Sequence, residues 1–402
     1  MTRSQGALVT GRTVAKLGEG IFEIAMLWTV IHLIDAPWSL AGVVVVGNVV
    51  ATIFLPWAGH IVDRRPQQRR LIAMWADIIA GFAFVVVALV WSYLGRHQEY
   101  LVILLITAVQ SALVAFLFPA LGALWQGMLQ DDTRQTANSV YTAAQSSAGL
   151  VGMVLGGAVI SVVSFQMVLG IVAASFGVSS ICSAIIRPGT VADGASSSSS
   201  EMPGFMAWRQ FVRNSSARFF IAVAATVNGG LIAVMTILPF YVMRNLHGNG
   251  VLLGIIEALF MGGMIGGSVI SRWIHGRPAD VLRLGLAGIV GALFCLGIWP
   301  TRWGTASAML VIGVSVGVLS VVVMTWSQKA IAPTQYGKYL AASSMVSTII
   351  QPTLAAAAGL AASLLGTPWI YTAVAMGMAI ITSTLLIRTR RKVAAEWVNG
   401  TR

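Results

Sequence analysis

Behind Arg12, which is read as a boundary cation, three further ionisable residues, Lys16, Glu19 and Glu23, stand in the stretch "GRTVAKLGEGIFEIAMLW" over 11–28, which is otherwise mostly apolar. Read on to Ile34, the segment has the length and apolarity to cross a bilayer, for which about 20 residues suffice. At 100° per residue the three side chains fall within roughly a 60° sector and form one stripe about 10 Å long on a single helix face. Charge on that scale is costly against lipid, so this face looks into the protein. Lys16 lies about a turn from the membrane boundary and can snorkel. Lys16 and Glu19, at i and i+3, have the spacing of a structural ion pair. Glu23 sits near the centre of the span. There, a carboxylate beside a cavity can take up and release a proton; the alternative is a buried acid satisfied by a neighbouring hydroxyl or amide.

Other carboxylates compete for that work. Asp77 lies in the cytoplasmic half of a later span, where a structural or gating bond is expected. Glu257 lies in "LLGIIEALFMGGMIGG", among Gly254, Gly262, Gly263, Gly266 and Gly267, and is a candidate for proton or substrate. The glycines allow helices to pack closely. Asp63 and Arg64 open "DRRPQQRR", with Gly59 one turn earlier. The five histidines, His32, His60, His97, His247 and His275, fall at span ends or in loops, without metal-ligand company. No Gly-x-x-x-x-Gly-Lys-[Ser/Thr] loop is present, so ATP drive would need another subunit. No acid, base and nucleophile cluster, so an enzyme is not expected. No cofactor or metal is implied, and Cys182 and Cys295 are read as small core residues.

The elements that must hold these residues follow from composition. The chain has 402 residues, 57% hydrophobic and 9% charged, with 42 glycines. Segments such as Val102–Leu117 and Leu360–Leu386 are apolar around the whole helix, which makes lipid their solvent. Twelve spans are predicted, at 12–34, 38–62, 71–95, 100–127, 138–161, 165–187, 218–242, 250–273, 281–300, 304–328, 338–364 and 368–388. Polar breaks such as "DAPW", "GRHQE", "HGNG" and "GTPW" join several of them. No cleavable leader is expected. With both termini in the cytoplasm, all of the 25 Lys and Arg residues but Lys16, Arg96, Arg244 and Arg302 fall on the cytoplasmic side. The net charge of +12 is therefore topological and implies no nucleic-acid partner.

A Ser/Gly/Pro-rich stretch, "PGTVADGASSSSSEMPG" at 188–204, divides six spans from six. It is followed by "FMAWRQFVRN", which alternates aromatic and basic residues like an interfacial helix. The expected organisation is an N-terminal half (1–187), a cytoplasmic linker with its interfacial helix (188–217) and a C-terminal half with a tail (218–402). Gly59-x-x-x-Asp63-Arg64 in the first half is matched by Gly267-x-x-x-Ser271-Arg272 in the second. Paired halves of this kind are how many secondary transporters are built.

Two six-helix halves with "GHIVDRRPQQRR" between spans 2 and 3 resemble the major facilitator superfamily. "LGEGIFEIAMLW", "LIAMWADIIAG", "FPALGALWQGML", "QTANSVYTAAQS" and "LLGIIEALFMGGMIGG" are similar to its drug–proton antiporter branch, which contains macrolide-efflux proteins and the enterobactin exporter. The chain departs from the usual loop motif at Pro66, and from an antiporter-type span 5 in lacking Pro after Gly152. The resemblance implies a monomeric exporter of the inner membrane, expelling a drug-like or other small organic solute in exchange for protons by alternating access. A dedicated exporter of one metabolite, such as a siderophore, and a lipid flippase are the other readings. It implies Glu23, Glu19 and Glu257 for proton coupling, with Lys16, Glu23 and Glu257 lining the substrate cavity. It also implies a gate of Gly59, Asp63, Arg64, Arg69 and Asp77, in which Asp63 meets the N-terminal end of span 11 near Tyr336-Gly337-Lys338.

The charge asymmetry makes a direct prediction. In intact cells, a single cysteine introduced by Ser198→Cys should stay unlabelled by an impermeant thiol reagent and react once the membrane is opened. Labelling from outside would reverse the orientation.

Overall fold

The computed structural model describes residues 2–129, 134–186, 215–274, 278–331 and 333–390. Twelve long helices run through them: α1 (Arg3–Leu33), α2 (Trp38–Arg64), α3 (Arg69–Val90), α4 (Arg96–Gly127), α5 (Arg134–Val162), α6 (Phe165–Ile185), α7 (Ser215–Arg244), α8 (Gly250–Ile270), α9 (Pro278–Ile298), α10 (Arg302–Ala330), α11 (Pro333–Leu365) and α12 (Thr367–Arg390). No strand occurs among the described residues. Each expected span falls on one helix. The proposed linker and interfacial helix at 188–214 lie outside the described residues.

Nine of these helices are long and apolar enough to cross a membrane, and α11 contributes a shorter apolar stretch at Ile349–Leu365. Hydropathy understates α1, which carries Arg3, Arg12, Lys16, Glu19 and Glu23 along its 31 residues. It also misplaces its start. Thr2 and Gln5 form a reciprocal cap, with the Thr2 N–H donating to Gln5 Oε1 at 2.8 Å and the Gln5 N–H donating to Thr2 Oγ1 at 3.3 Å. Gln5 Nε2 then donates to the Met128 carbonyl at 2.7 Å, so the first turns are tied to the end of α4 before the apolar run begins. Pro333 opens α11 in the same way, several residues ahead of the apolar segment. The break between α11 and α12 is made by Gly366 at φ +86°, a left-handed conformation that ends a helix without a Cβ clash.

The chain forms two compact units, one of Met1–Ser199 with Gly248–Ala258 and the other of Ser200–His247 with Leu259–Arg402. The first turns of α8, Glu257 included, belong with the first unit. In that unit α1 packs on α5 and α6, α3 on α4 and α6, and α2 on α4. In the second, α7 packs on α11 and α12, and α9 on α10 and α12. Large apolar side chains remain exposed on outer helices, for example Phe82, Leu89, Leu101 and Leu105, as lipid contact requires. Exposed Trp299, Trp303 and Trp369 stand at helix ends, where an indole bridges tail and headgroup.

Backbone approach lets α1 be covered. A Cβ built on Gly156 would stand 2.8 Å from the Ile21 carbonyl oxygen and 2.9 Å from its Cα, and one on Gly152 would strike the Leu17 carbonyl. Gly263 and Gly267 of α8 meet α10 in the same manner, against Leu310 and Val314, whereas Gly262 and Gly266 meet nothing within 4 Å. The glycine-rich run of α8 is therefore partly a packing seam. Gly156→Val should drive the α1 and α5 backbones apart and cost about 1–3 kcal/mol. Gly170→Ala in α6, where a Cβ meets nothing within 4 Å, should be neutral or gain up to about 1 kcal/mol from helix propensity. Melting of the purified variants checks both; equal melting temperatures would mean that the seam is not tight.

Candidate functional site

The charged stripe of α1 begins one turn earlier than the sequence suggested. Arg12, read from the sequence as a boundary cation, is buried at 8% exposure. Its Nη2 donates to Glu19 Oε1 at 3.2 Å, and its Nη1 lies 3.5 Å from Asp77 Oδ1 on α3. The second contact has ion-pair distance but not hydrogen-bond geometry, which leaves Arg12 Nη1 and Asp77 Oδ1 without a hydrogen-bond partner. The other oxygen of Asp77 accepts from Ser179 Oγ of α6 at 2.6 Å. Lys16 Nζ donates to Glu19 Oε2 at 3.1 Å, as the i, i+3 spacing predicts. Two cations and two carboxylates thus form one network joining α1, α3 and α6. Glu19 is its centre, with both oxygens occupied.

Glu23 stands outside this network. Between Gly11 and Ile31 it is the one exposed residue of α1, while its neighbours from Gly20 to Leu27 are buried. A helix facing lipid exposes a run of apolar side chains, as α3 does; α1 exposes a single carboxylate. Its surroundings include the charges of Lys16 and Glu19. Glu257, buried in the part of α8 that belongs to the same unit, lies near enough for its carboxylate and that of Glu23 to repel each other. No described side chain forms an ion pair with either. A pair of neighbouring carboxylates with no ion-pair partner among the described side chains is chemically a site for a proton or for a cationic group.

The residues expected to gate are placed separately. Asp77 is a structural partner of Arg12 and Ser179. Arg69 is buried, with Nε 3.4 Å from the Val62 carbonyl, where it caps the end of α2. Arg70 donates to the Ile186 and Ala184 carbonyls at 2.6 and 3.3 Å and closes the end of α6. Arg64 is exposed. A Cβ built on Gly59 meets nothing within 4 Å among the described residues. The side chains of Asp63, Tyr336 and Lys338 lie outside the described ones. Among the described residues no cluster of three His, Cys, Asp or Glu is placed to hold a metal.

These features define a class, a multi-pass helical membrane protein with an ionisable interior in its first unit. Residues 8–352 match the Major Facilitator Superfamily, and the chain belongs to that family of transporters. No curated protein sequence matches it. Among solved structures it is similar to the nucleoside transporter NupG, at 13% identity and TM-score 0.76, over 96% of this chain and 99% of that one. It is similar also to a bacterial homolog of the human lysosomal transporter Spinster (14%, 0.72, 97% and 98%). A third is a bacterial homologue of the iron transporter ferroportin (13%, 0.70, 96% and 98%). At these identities the likeness is one of fold.

The network predicts a specific pattern of stability. Arg12→Ala leaves Asp77 without its cation and Glu19 with Lys16 alone, and should cost about 3–5 kcal/mol, seen as loss of folded protein in the membrane. Adding Asp77→Asn should recover part of it, because one stranded charge is removed. Wild-type abundance and melting of Arg12→Ala would show that the pair contributes nothing.

Proposed function

We propose that the protein is a proton-coupled exporter of a small organic solute, working by alternating access in the inner membrane with both termini cytoplasmic and acting as a monomer. The observation that carries this reading is Glu23, the lone exposed residue in the packed middle of α1, free of any ion pair and next to Glu257. Proton-driven export needs a group protonated in one state and released in the other, to which the solute responds. Glu23 is the principal coupling residue, with Glu257 as the carboxylate sharing its site. Glu19 is secondary, since both its oxygens are held by Arg12 and Lys16. Asp63 with Arg64 is kept as the gate, and the likeness to the drug–proton antiporter branch supports efflux over uptake.

The engagement of Arg12 and Lys16 bears on the solute. An anionic siderophore would need free cations beside Glu23, and the two nearest along α1 are committed to carboxylates. A cationic or neutral amphiphile fits two unpaired carboxylates better. In proteoliposomes, Glu23→Gln should fold, retain solute counterflow without a gradient and lose accumulation driven by an imposed pH gradient. Gradient-driven accumulation that survives in Glu23→Gln but fails in Glu257→Gln would move coupling to Glu257; survival in both would remove it from this pair.

A further inference from the structure

The interior of the second unit is of a different kind. Every buried charged side chain among the described residues, namely Arg12, Arg69, Asp77 and Glu257, belongs to the first unit. In the second, α7, α10 and α11 leave between them a cavity of about 190 Å³, and no charged residue occurs among the described residues of its wall. Its floor is buried and mostly apolar, formed by side chains such as Val227, Val316 and Leu319 with Tyr339 from α11, and its one buried hydroxyl from α10, Ser327, donates to the Met324 carbonyl at 2.8 Å. Its mouth is exposed, with Asn228 of α7 and Ser320 and Met324 of α10. Ser320 Oγ donates back to the Gly317 carbonyl at 2.9 Å, so its remaining capacity is to accept. The Asn228 amide makes no hydrogen bond among the described residues and has both donor and acceptor to offer.

We propose that this cavity is a binding subsite for an uncharged ring carrying one O–H or N–H donor, of phenol or indole type, with the ring on the floor and the donor at Asn228 and Ser320. Size sets the class. An apolar cavity of about 150 Å³ accommodates benzene, whereas whole drug-sized ligands need about 300–1,000 Å³. A space of about 190 Å³ therefore takes one substituted ring or the ring of a larger solute. Neutrality follows from the wall, since a charged group placed there would lose its hydration and find no counter-charge. The donor requirement follows from Ser320, whose own proton is committed to the Gly317 carbonyl so that it can only accept, with the Asn228 carbonyl as a second acceptor beside it. The subsite shares no residue with the carboxylates of the first unit and stands whether or not those couple protons.

The test uses full-length protein in lipid nanodiscs without any gradient, read by saturation-transfer NMR, with signal from protein-free nanodiscs subtracted. Indole, toluene and protonated tryptamine are the probes. Indole should bind the wild type, toluene more weakly, and tryptamine least. Ser320→Trp, at the exposed mouth, should abolish the indole signal. Asn228→Leu should weaken indole by about 2–10-fold, as loss of one hydrogen bond does, and leave toluene unchanged. Unaltered melting of each variant confirms that it is folded, and Asn228→Ser replaces Asn228→Leu if the latter is not. Indole binding that neither substitution alters would overturn the proposal. So would displacement of indole by a fatty acid with toluene and indole bound alike, which assigns the cavity to an acyl chain.

Discussion

Arg12 is the constraint on which the first unit is arranged. A guanidinium at 8% exposure in a helix covered by other helices has no water to solvate it, so its charge must be met from within. Glu19 meets it from the same helix and Asp77 from α3, while Ser179, bonded to Asp77, brings in α6. The attraction in such a network is largely offset by desolvation, and its main effect is geometric. It fixes the rotation of α1 about its own axis. Because Glu23 follows Glu19 by four residues, the same constraint aims Glu23, and a turn of α1 that broke the network would carry that carboxylate into packed neighbours.

Small residues make this arrangement possible. A helix carrying four interior charges can be enclosed only if its neighbours come close enough to supply partners, and Gly152 and Gly156 let the α5 backbone reach the α1 backbone. Among the described residues, the second unit handles its interior polar groups without charge. Tyr241 donates to the Leu296 carbonyl at 2.6 Å, and Tyr371 to that of Val234 at 3.4 Å. One unit thus holds ionic chemistry and the other holds neutral hydrogen bonds and apolar space. Proton exchange suits the first, and recognition of an uncharged ring suits the second.

The loop after α2 shows how one set of residues can serve as both topology signal and structure. Its arginines count toward the charge asymmetry whatever they touch. Arg69 and Arg70 also cap the ends of α2 and α6, whose last carbonyls would otherwise lack partners. The paired basic residues behind Gln67 and Gln68, a departure from the usual spacing, are the ones that make these bonds.

Much of the fold was legible in the chain itself. Twelve apolar periods and their polar breaks depend on local composition, and lipid as solvent makes that composition nearly decisive, since a spanning segment must satisfy its backbone within itself. The i, i+3 pair of Lys16 and Glu19 was legible for the same reason, being set by helix geometry alone. The start of α1 was not, because Thr2, Gln5 and Met128 decide it through hydrogen bonds rather than hydropathy. Arg12 had a signal that went unused: at 100° per residue it falls inside the sector of Lys16, Glu19 and Glu23. Its partner Asp77, 65 residues away in the sequence, and Ser179, which bonds Asp77 from 167 residues away, had none. Sequence by itself determined the number and kind of the helices and the face on which α1 carries its charges. Tertiary structure decided which of those charges are neutralised and which carboxylate is left open, because buried charge is settled by the distance to partners on other helices, and no spacing along one helix records that distance.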